Sequence, residues 1–153
     1  MKKVILALVL AISAASAKDI MLVVDLDKII DSEDFKEIVG DEVLFSFGSG
    51  STEKIIARGI TSRDRVKINK NDYFTKSLSG KQYEFSEMDK KCGYSLLQNL
   101  ADLKKQAQKV GGTKIVNIES YHTKSDSLDS KDSFQCAVRK SKATVKLKAD
   151  VAR

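Results

Sequence analysis

The chain of 153 residues contains no proline, only two cysteines and a single histidine. The absence of proline, of low-complexity tracts and of internal repeats leaves no mark of a linker between domains. Structural zinc needs four ligands, which two cysteines and one histidine do not supply, so we expect neither a metal nor another cofactor. A content of 42% apolar and 31% charged residues argues against disorder and against a multispan membrane protein. We therefore predict one soluble domain.

Residues 1–17 have the pattern of a cleavable secretory signal peptide. Two lysines precede an apolar run over residues 4–12, and the segment ends in the small residues Ala-Ser-Ala at positions 15–17. The apolar run is short against the roughly 20 residues needed to cross a bilayer, which disfavours a membrane anchor. Cleavage removes two lysines and no acid, so the formal charge falls from +6 to +4. We predict a periplasmic or secreted bacterial protein, residues 18–153, with no stable membrane insertion.

The clearest predicted element is a long amphipathic helix. The sequence Ser-Glu-Met-Asp at 86–89 has the form of a capping box, and Gly111 and Gly112 end a helix that runs from Ser86 to Val110. Apolar residues recur at steps of four and three, which is typical of one buried stripe. The stripe comprises Met88, Cys92, Leu96, Leu100, Leu103, Ala107 and Val110.

Strands are predicted on the C-terminal side of this helix. Residues 114–121 are rich in branched side chains, and a flexible polar loop over 122–133 follows. Residues 134–139 and 143–149 then alternate between apolar and polar side chains, which is the period of half-buried strands.

The N-terminal half has a less regular pattern. Residues 25–39 predict one broken helix or two short ones that end at Gly40. Residues 43–47 alternate as a strand, and residues 56–61 are its expected hairpin partner, with a further short edge strand at 66–68. The predicted order is helix, two strands, helix, then two or three strands. This order favours an α+β fold in which the helices pack on one face of a mainly antiparallel sheet.

Cys92 and Cys136 are the only cysteines, and an even count in an exported protein favours a disulfide. Cys92 belongs to the apolar stripe of the helix, and Cys136 belongs to the apolar face of a predicted strand. Both side chains are therefore expected to point inward, so that a bond between them would fasten the helix to the sheet.

Three residues are candidates for catalysis, and none is well supported. Asp25 and Asp27 follow two valines, a weak resemblance to the nucleophile motif of haloacid dehalogenase phosphatases, and the alternative is two solvated residues at a helix start. His122 has no second base or nucleophile arranged around it by the sequence pattern. The glycine-rich segment 48–51 lacks the Gly-Lys-Ser/Thr of a phosphate loop, and the aspartates within 126–132 lack the spacing of a calcium loop.

A group of basic residues near two aromatic ones is a candidate surface for an anionic partner, such as a cell-envelope polymer. Acidic residues alternate with the basic ones, and a net charge of +4 gives no electrostatic argument for nucleic acid. The possible binding residues are Arg63, Arg65, Lys67, Tyr73 and Phe74, with Arg58, Lys70 and Lys76 nearby.

Cys92, Cys136, the Gly-Gly helix end at 111–112 and the Asn-Ile-Glu-Ser-Tyr strand at 117–121 resemble a family of small exported bacterial proteins. Members are commonly mislabelled "excinuclease ATPase subunit", an activity that needs a Walker A loop and zinc-binding cysteine pairs, both missing from this sequence. The resemblance implies a structural disulfide and no established activity. More distantly, the helix, the Gly-Gly-x-x-Ile-Val segment and the cysteine-bearing strand are similar to the YbjQ-like fold, which includes the envelope stress sensor RcsF.

The leading functional hypothesis is a non-enzymatic periplasmic binding module that contacts an unidentified envelope protein or polymer. One alternative, implied by the distant similarity, is an RcsF-like sensor of envelope or redox stress. Another is a small hydrolase using Asp25, Asp27 or His122, which is less favoured because the sequence pattern places no two of them together.

Overall fold

The computed structural model describes residues 19–67, 86–139 and 142–153. Within these residues the chain forms three helices and a single sheet of seven strands. The predicted α+β class, with a long helix on a mainly antiparallel sheet, is confirmed. The helices are α1 (Asp27–Ile30), α2 (Glu33–Ile38) and α3 (Ser86–Lys109), and the strands are β1 (Ile20–Asp25), β2 (Leu44–Phe47), β3 (Ile55–Lys67), β4 (Lys114–Thr123), β5 (Asp126–Leu128), β6 (Ser133–Arg139) and β7 (Lys142–Ala152).

Strand β7 is the centre of the sheet. It pairs with β3 in antiparallel orientation along one edge. On the opposite edge, residues 142–144 pair with β6 and residues 147–152 pair with β4, both antiparallel. Strand β1 continues the sheet beyond β6, whereas β2 pairs in parallel with the first half of β4, and β5 pairs with the end of β4. Every described strand is therefore no more than two steps from β7.

The side chains of β7 alternate strictly between the two faces of the sheet. One face is apolar and almost completely buried, because α3 packs over it, mainly against β3 and β7. The other face carries Lys142, Thr144, Lys146 and Lys148 and is open to solvent. The buried residues of the strand are Ala143, Val145, Leu147, Ala149 and Val151.

Helix α3 buries the predicted stripe. Cys92, Leu96, Leu100, Leu103 and Ala107 are fully buried in the core. The prediction for Val110 is wrong, since the helix ends at Lys109 and the side chain of Val110 is 46% exposed. The helix begins at Ser86 as predicted, while the side chain of Met88 lies outside the described part of the chain.

Two buried polar residues of α3 bond to the strands below it. The Ser95 hydroxyl donates to the carbonyl of Asp64 on β3 (2.9 Å) and accepts from the amide of Val145 on β7 (3.2 Å). The Asn99 amide group donates to the carbonyls of Ser95 (2.7 Å) and Val145 (3.1 Å). Because an unpaired buried polar group is costly, these bonds fix both the rotation and the height of the helix on the sheet.

Two predictions for the N-terminal half are wrong. Residues 56–61 do not form a hairpin with the strand at 44–47, because they belong to the longer strand β3, which pairs with β7. The register of β3 shifts near Gly59, where φ is +66°, and such irregularity weakens the period-2 signal. The order also begins with a strand, β1, rather than with a helix. The two short helices are confirmed, and Gly40 ends them with φ at +75°.

Replacing Leu100 by alanine is expected to lower the free energy of unfolding by about 2–5 kcal/mol, because it leaves a cavity between α3 and the sheet. Urea unfolding monitored by circular dichroism measures the change. Val110→Ala, one residue beyond the end of α3, is the control, and its exposed side chain predicts a change within about 0.5 kcal/mol. Equal effects of the two substitutions would contradict the packing of α3.

The disulfide between Cys92 and Cys136 joins α3 to β6, as predicted, and both cysteines are fully buried. It closes a loop with a sequence separation of 44 residues. The double variant Cys92→Ala/Cys136→Ala is therefore expected to be less stable by about 2–5 kcal/mol. Because the sulfur atoms are buried, mild reductant is expected to leave the bond intact until the protein unfolds. Thiol labelling during a urea titration tests both points, and rapid reduction of the native protein would overturn the second.

Candidate functional site

Basic side chains from three neighbouring strands face the solvent side of the sheet. In the register of β3 with β7, Arg63 lies opposite Lys146 and Lys67 lies opposite Lys142. In the register of β6 with β7, Arg139 also lies opposite Lys142. Like charges directly across two strands destabilise a sheet, so this arrangement gives the fold no stability.

Two small residues lie in the middle of these cations. Thr144 on β7 is the cross-strand neighbour of Arg65 on β3 and of Ala137 on β6. Thr144 and Ala137 are too short to fill the space between the longer side chains, and a cavity of about 240 Å³ opens above them. We call it the cationic pocket. Its lining residues are Asp19, Arg63, Arg65, His122, Ala137, Arg139, Lys142, Thr144 and Lys146.

Asp19 is the one acidic residue among the described residues that line the cationic pocket. Its carboxylate contacts two neighbours at once: Oδ1 lies 2.7 Å from Nε of Arg139, and Oδ2 lies 3.1 Å from Nε2 of His122. Asp19 immediately precedes β1, whose pairing with β6 brings the carboxylate to Arg139. An internal carboxylate thus occupies one side of the pocket.

His122, near the end of β4, is contacted at one ring nitrogen and at its backbone carbonyl. Its Nε2 faces Asp19, and its Nδ1 is buried without a hydrogen-bond partner among the described residues. Its carbonyl oxygen accepts a hydrogen bond from Nζ of Lys146 (2.7 Å), and the same ammonium group lies 5.9 Å from the centre of the Tyr121 ring. One ring nitrogen of His122 therefore already faces a carboxylate, and the other is buried away from solvent.

Four further cations of the cationic pocket have no acidic partner within the described ranges: Arg63, Arg65, Lys142 and Lys146 form no ion pair there. With Arg139 offset by Asp19 and His122 left out of the count, the lining carries four uncompensated positive charges among the described residues. The pocket is therefore electrostatically suited to an anion.

A second cavity, of about 350 Å³, lies between β3 and α3. It is lined by Arg63, Asp64, Asp102 and Lys105 together with small or neutral residues. Two acids and two bases give this cavity no net charge and no preference for the charge of a ligand. We therefore take the cationic pocket as the candidate site.

The predicted surface residues have separate locations. Arg63 and Arg65 line the cationic pocket, and Lys67 is exposed one register step beyond them on the same face of β3. Tyr73 and Phe74 lie outside the described residues, as do Lys70 and Lys76. Arg58 lies elsewhere, 3.7 Å from the carboxylate of Asp150.

Sequence reasoning missed six residues of the cationic pocket, since they lie far from Arg63 and Arg65 along the chain. The alternation in residues 143–149 does indicate that the even-numbered side chains share one face. The alternation does not determine which strands lie beside these side chains, because that depends on the order of the strands in the sheet. The missed residues are Asp19, Ala137, Arg139, Lys142, Thr144 and Lys146.

The candidate catalytic residues are not brought together. Asp25 ends β1, so it lies about 20 Å along the strand from Asp19 and from the adjacent His122. Its side chain is 71% exposed and 3.8 Å from Lys28. Asp27 begins α1 beyond it. Within the described ranges, no group of three histidine, cysteine or acidic residues is arranged to hold a metal ion.

The glycine-rich turn and the acidic loop contact each other. Both the amide and the hydroxyl group of Ser49 donate to the Asp129 carboxylate, the amide at 2.7 Å. The predicted flexible loop over 122–133 is wrong in part, because residues 126–128 form β5 and Asp129 binds Ser49. The glycine-rich turn and the acidic loop therefore stabilise each other, and these contacts assign both segments a structural role.

Comparison of the chain with models of protein families, with curated proteins and with solved structures gave no significant match. No helix in the described part of the chain is long and apolar enough to cross a membrane.

The hydrogen bonds from Ser49 lower the pKa of Asp129 below its ordinary value of 3.8. A depressed pKa in the folded state means that this carboxylate contributes stability above pH 3.8, and that the contribution disappears as the pH falls through the lower folded value. Asp129→Asn is therefore expected to be less stable than the unmodified protein at neutral pH, with a difference that shrinks in acid. Urea unfolding across a descending pH series measures it. Asp132→Asn, an exposed change in the same loop, is the charge-matched control, and a pH-independent difference for Asp129→Asn would contradict the expectation.

Proposed function

We propose that this protein is an exported, non-enzymatic binding module that holds an anionic group of another envelope component in the cationic pocket. The observation that carries the proposal is the convergence of basic side chains from β3, β6 and β7 around the two small residues Thr144 and Ala137. The repulsion among these side chains is a cost to the folded state, and a bound anion relieves it.

The arrangement favours binding over catalysis. A hydrolase needs a nucleophile or an activated water beside a base that can take a proton. The single histidine of the chain has one ring nitrogen engaged by Asp19 and the other buried. What the pocket offers to a ligand is positive charge, N–H donors and the Thr144 hydroxyl, which are the elements of recognition.

Export is supported by two independent features. Residues 1–17 carry the signal-peptide pattern, and Cys92 and Cys136 form a disulfide, a bond that persists in oxidising compartments such as the periplasm. Full burial of both cysteines favours a structural bond over an exchanging one, because thiol exchange needs access to a sulfur atom. The redox-sensor alternative is correspondingly less favoured.

The net charge and the dimensions of the site also limit the class of partner. A pocket of about 240 Å³ takes one compact group rather than an extended strand, and a +4 mature chain gives no general attraction for nucleic acid. The expected partner is an envelope protein or polymer that presents a compact anionic group.

The test uses the double variant Arg65→Gln/Lys142→Gln and fluorescein-labelled dextran sulfate as a generic polyanion. Because a hydrogen bond between charged groups contributes about 1.5–3 kcal/mol, the variant is expected to bind the probe at least tenfold more weakly in fluorescence anisotropy titrations. Lys90→Gln/Lys109→Gln removes the same charge from exposed positions on α3 and is the matched control. Equal weakening by both variants would mean that only net charge matters, and the proposal would fail.

A further inference from the structure

We infer that the cationic pocket takes a polyvalent phosphate group, and that Asp19, as an internal carboxylate, weakens the binding of every anion so that only a strongly charged group binds tightly. The inference rests on the anion-binding function proposed above and adds the chemical class of the ligand. It follows from two features of the pocket: the directions from which its cations approach, and the position of its one acid.

The cations surround Thr144 from several sides. Arg65 lies on β3, along one edge of β7, and Arg139 lies on β6, along the opposite edge. Lys142 and Lys146 approach along β7, each two residues from Thr144 and so about 7 Å away along the strand, while neighbouring strands are about 4.8 Å apart. A ligand above Thr144 is therefore met by donors from different directions.

This arrangement matches a tetrahedral anion better than a planar one. A carboxylate presents two oxygens in one plane, which one arginine side chain can satisfy by itself. A phosphate monoester presents three acceptor oxygens that diverge in space and carries about −1.5 to −2 charge at neutral pH. Two linked phosphate groups supply more acceptors and more charge, which suits the four cations that lack an acidic partner among the described residues.

Asp19 raises the charge that a ligand must carry. Its carboxylate already contacts Arg139 and His122, and as part of the same chain it competes at a high effective concentration. A free monocarboxylate that displaced the Asp19 carboxylate would replace its contacts with equivalent ones, so the gain in binding free energy would be small. A polyvalent phosphate group gains from Arg63, Arg65, Lys142 and Lys146 while Asp19 remains in place.

The experiment is isothermal titration of the oxidised protein with sodium pyrophosphate and, separately, with sodium malonate, a dicarboxylate of similar size. The variants are Asp19→Asn and the control Asp25→Asn, which makes the same charge change at the far, exposed end of β1. We expect the unmodified protein to bind pyrophosphate more tightly than malonate. Asp19→Asn is expected to bind both about tenfold more tightly, the effect of removing one negative charge a few ångströms from the ligand. Asp25→Asn should match the unmodified protein.

Different results would overturn different parts. If malonate binds the unmodified protein as tightly as pyrophosphate, the assignment to phosphate is wrong. If Asp19→Asn and Asp25→Asn bind pyrophosphate equally, Asp19 does not oppose ligand binding, although anion binding stands. If no variant binds pyrophosphate or malonate and dextran sulfate also fails to bind, the proposed function itself is wrong.

A second arm separates a soluble phosphate from a phosphate on a lipid headgroup. Vesicles of phosphatidylcholine with phosphatidic acid, which carries a phosphate monoester, are sedimented with the protein in the presence and absence of pyrophosphate. Sedimentation that pyrophosphate abolishes supports recognition of headgroup phosphate through the cationic pocket. Binding of pyrophosphate without any sedimentation supports a soluble phosphate ligand. Sedimentation that pyrophosphate leaves unchanged, and that Asp19→Asn does not strengthen, would contradict the use of this pocket.

Discussion

The alternation of side chains along β7 is the constraint on which the rest of the structure depends. Its odd-numbered residues from Ala143 to Val151 are buried beneath α3, and its even-numbered residues from Lys142 to Lys148 lie on the open face. A shift of register by one residue would bury lysines and expose the core, so the apolar face fixes the pairing of β7 with β3, β4 and β6. The position of each pocket cation follows from that register.

Directional bonds then hold the elements that hydrophobic packing alone leaves free to slide. The disulfide, Ser95 and Asn99 tie α3 to β3, β6 and β7. At the other end of the sheet, Asn117 adopts a positive φ of 53° at an irregularity in β4, and its amide group bonds to the Ser51 amide and to the Asp150 carboxylate, each at 3.0 Å. These contacts give each layer one position relative to the next.

The two faces of the sheet have different uses. On the α3 side, nearly every side chain contributes to burial and stability. On the open side, Arg63 faces Lys146 and Lys142 faces both Lys67 and Arg139, so charge accumulates where it brings the fold no benefit. Asp19 relieves part of that repulsion from within the chain. Because the charged residues of the open face do not stabilise the fold, we propose that this face carries the function.

The sequence by itself determined the elements whose side chains follow a strong period. Helix α3, the alternation within β6 and β7, the disulfide and the two short helices before Gly40 were all predicted, because burial on one face imposes a period of 3.6 or 2. The hairpin expected for residues 56–61, the start of the fold at β1 and the burial of Val110 were not predicted correctly. Register shifts blur the pattern of β3, and the end of a helix depends on its last hydrogen bonds.

Only the tertiary structure decided the candidate site. Sequence reasoning identified Arg63 and Arg65 as possible binding residues, but nothing local to them points to Thr144, Arg139 or Asp19. Strand order brings these residues together from both ends of the chain, since β1 pairs with β6, and β3 pairs with β7, only through contacts between distant parts of the sequence. Sequence periodicity indicates on which face of the sheet a side chain lies. Its neighbour across the sheet is determined by the packing of the whole core.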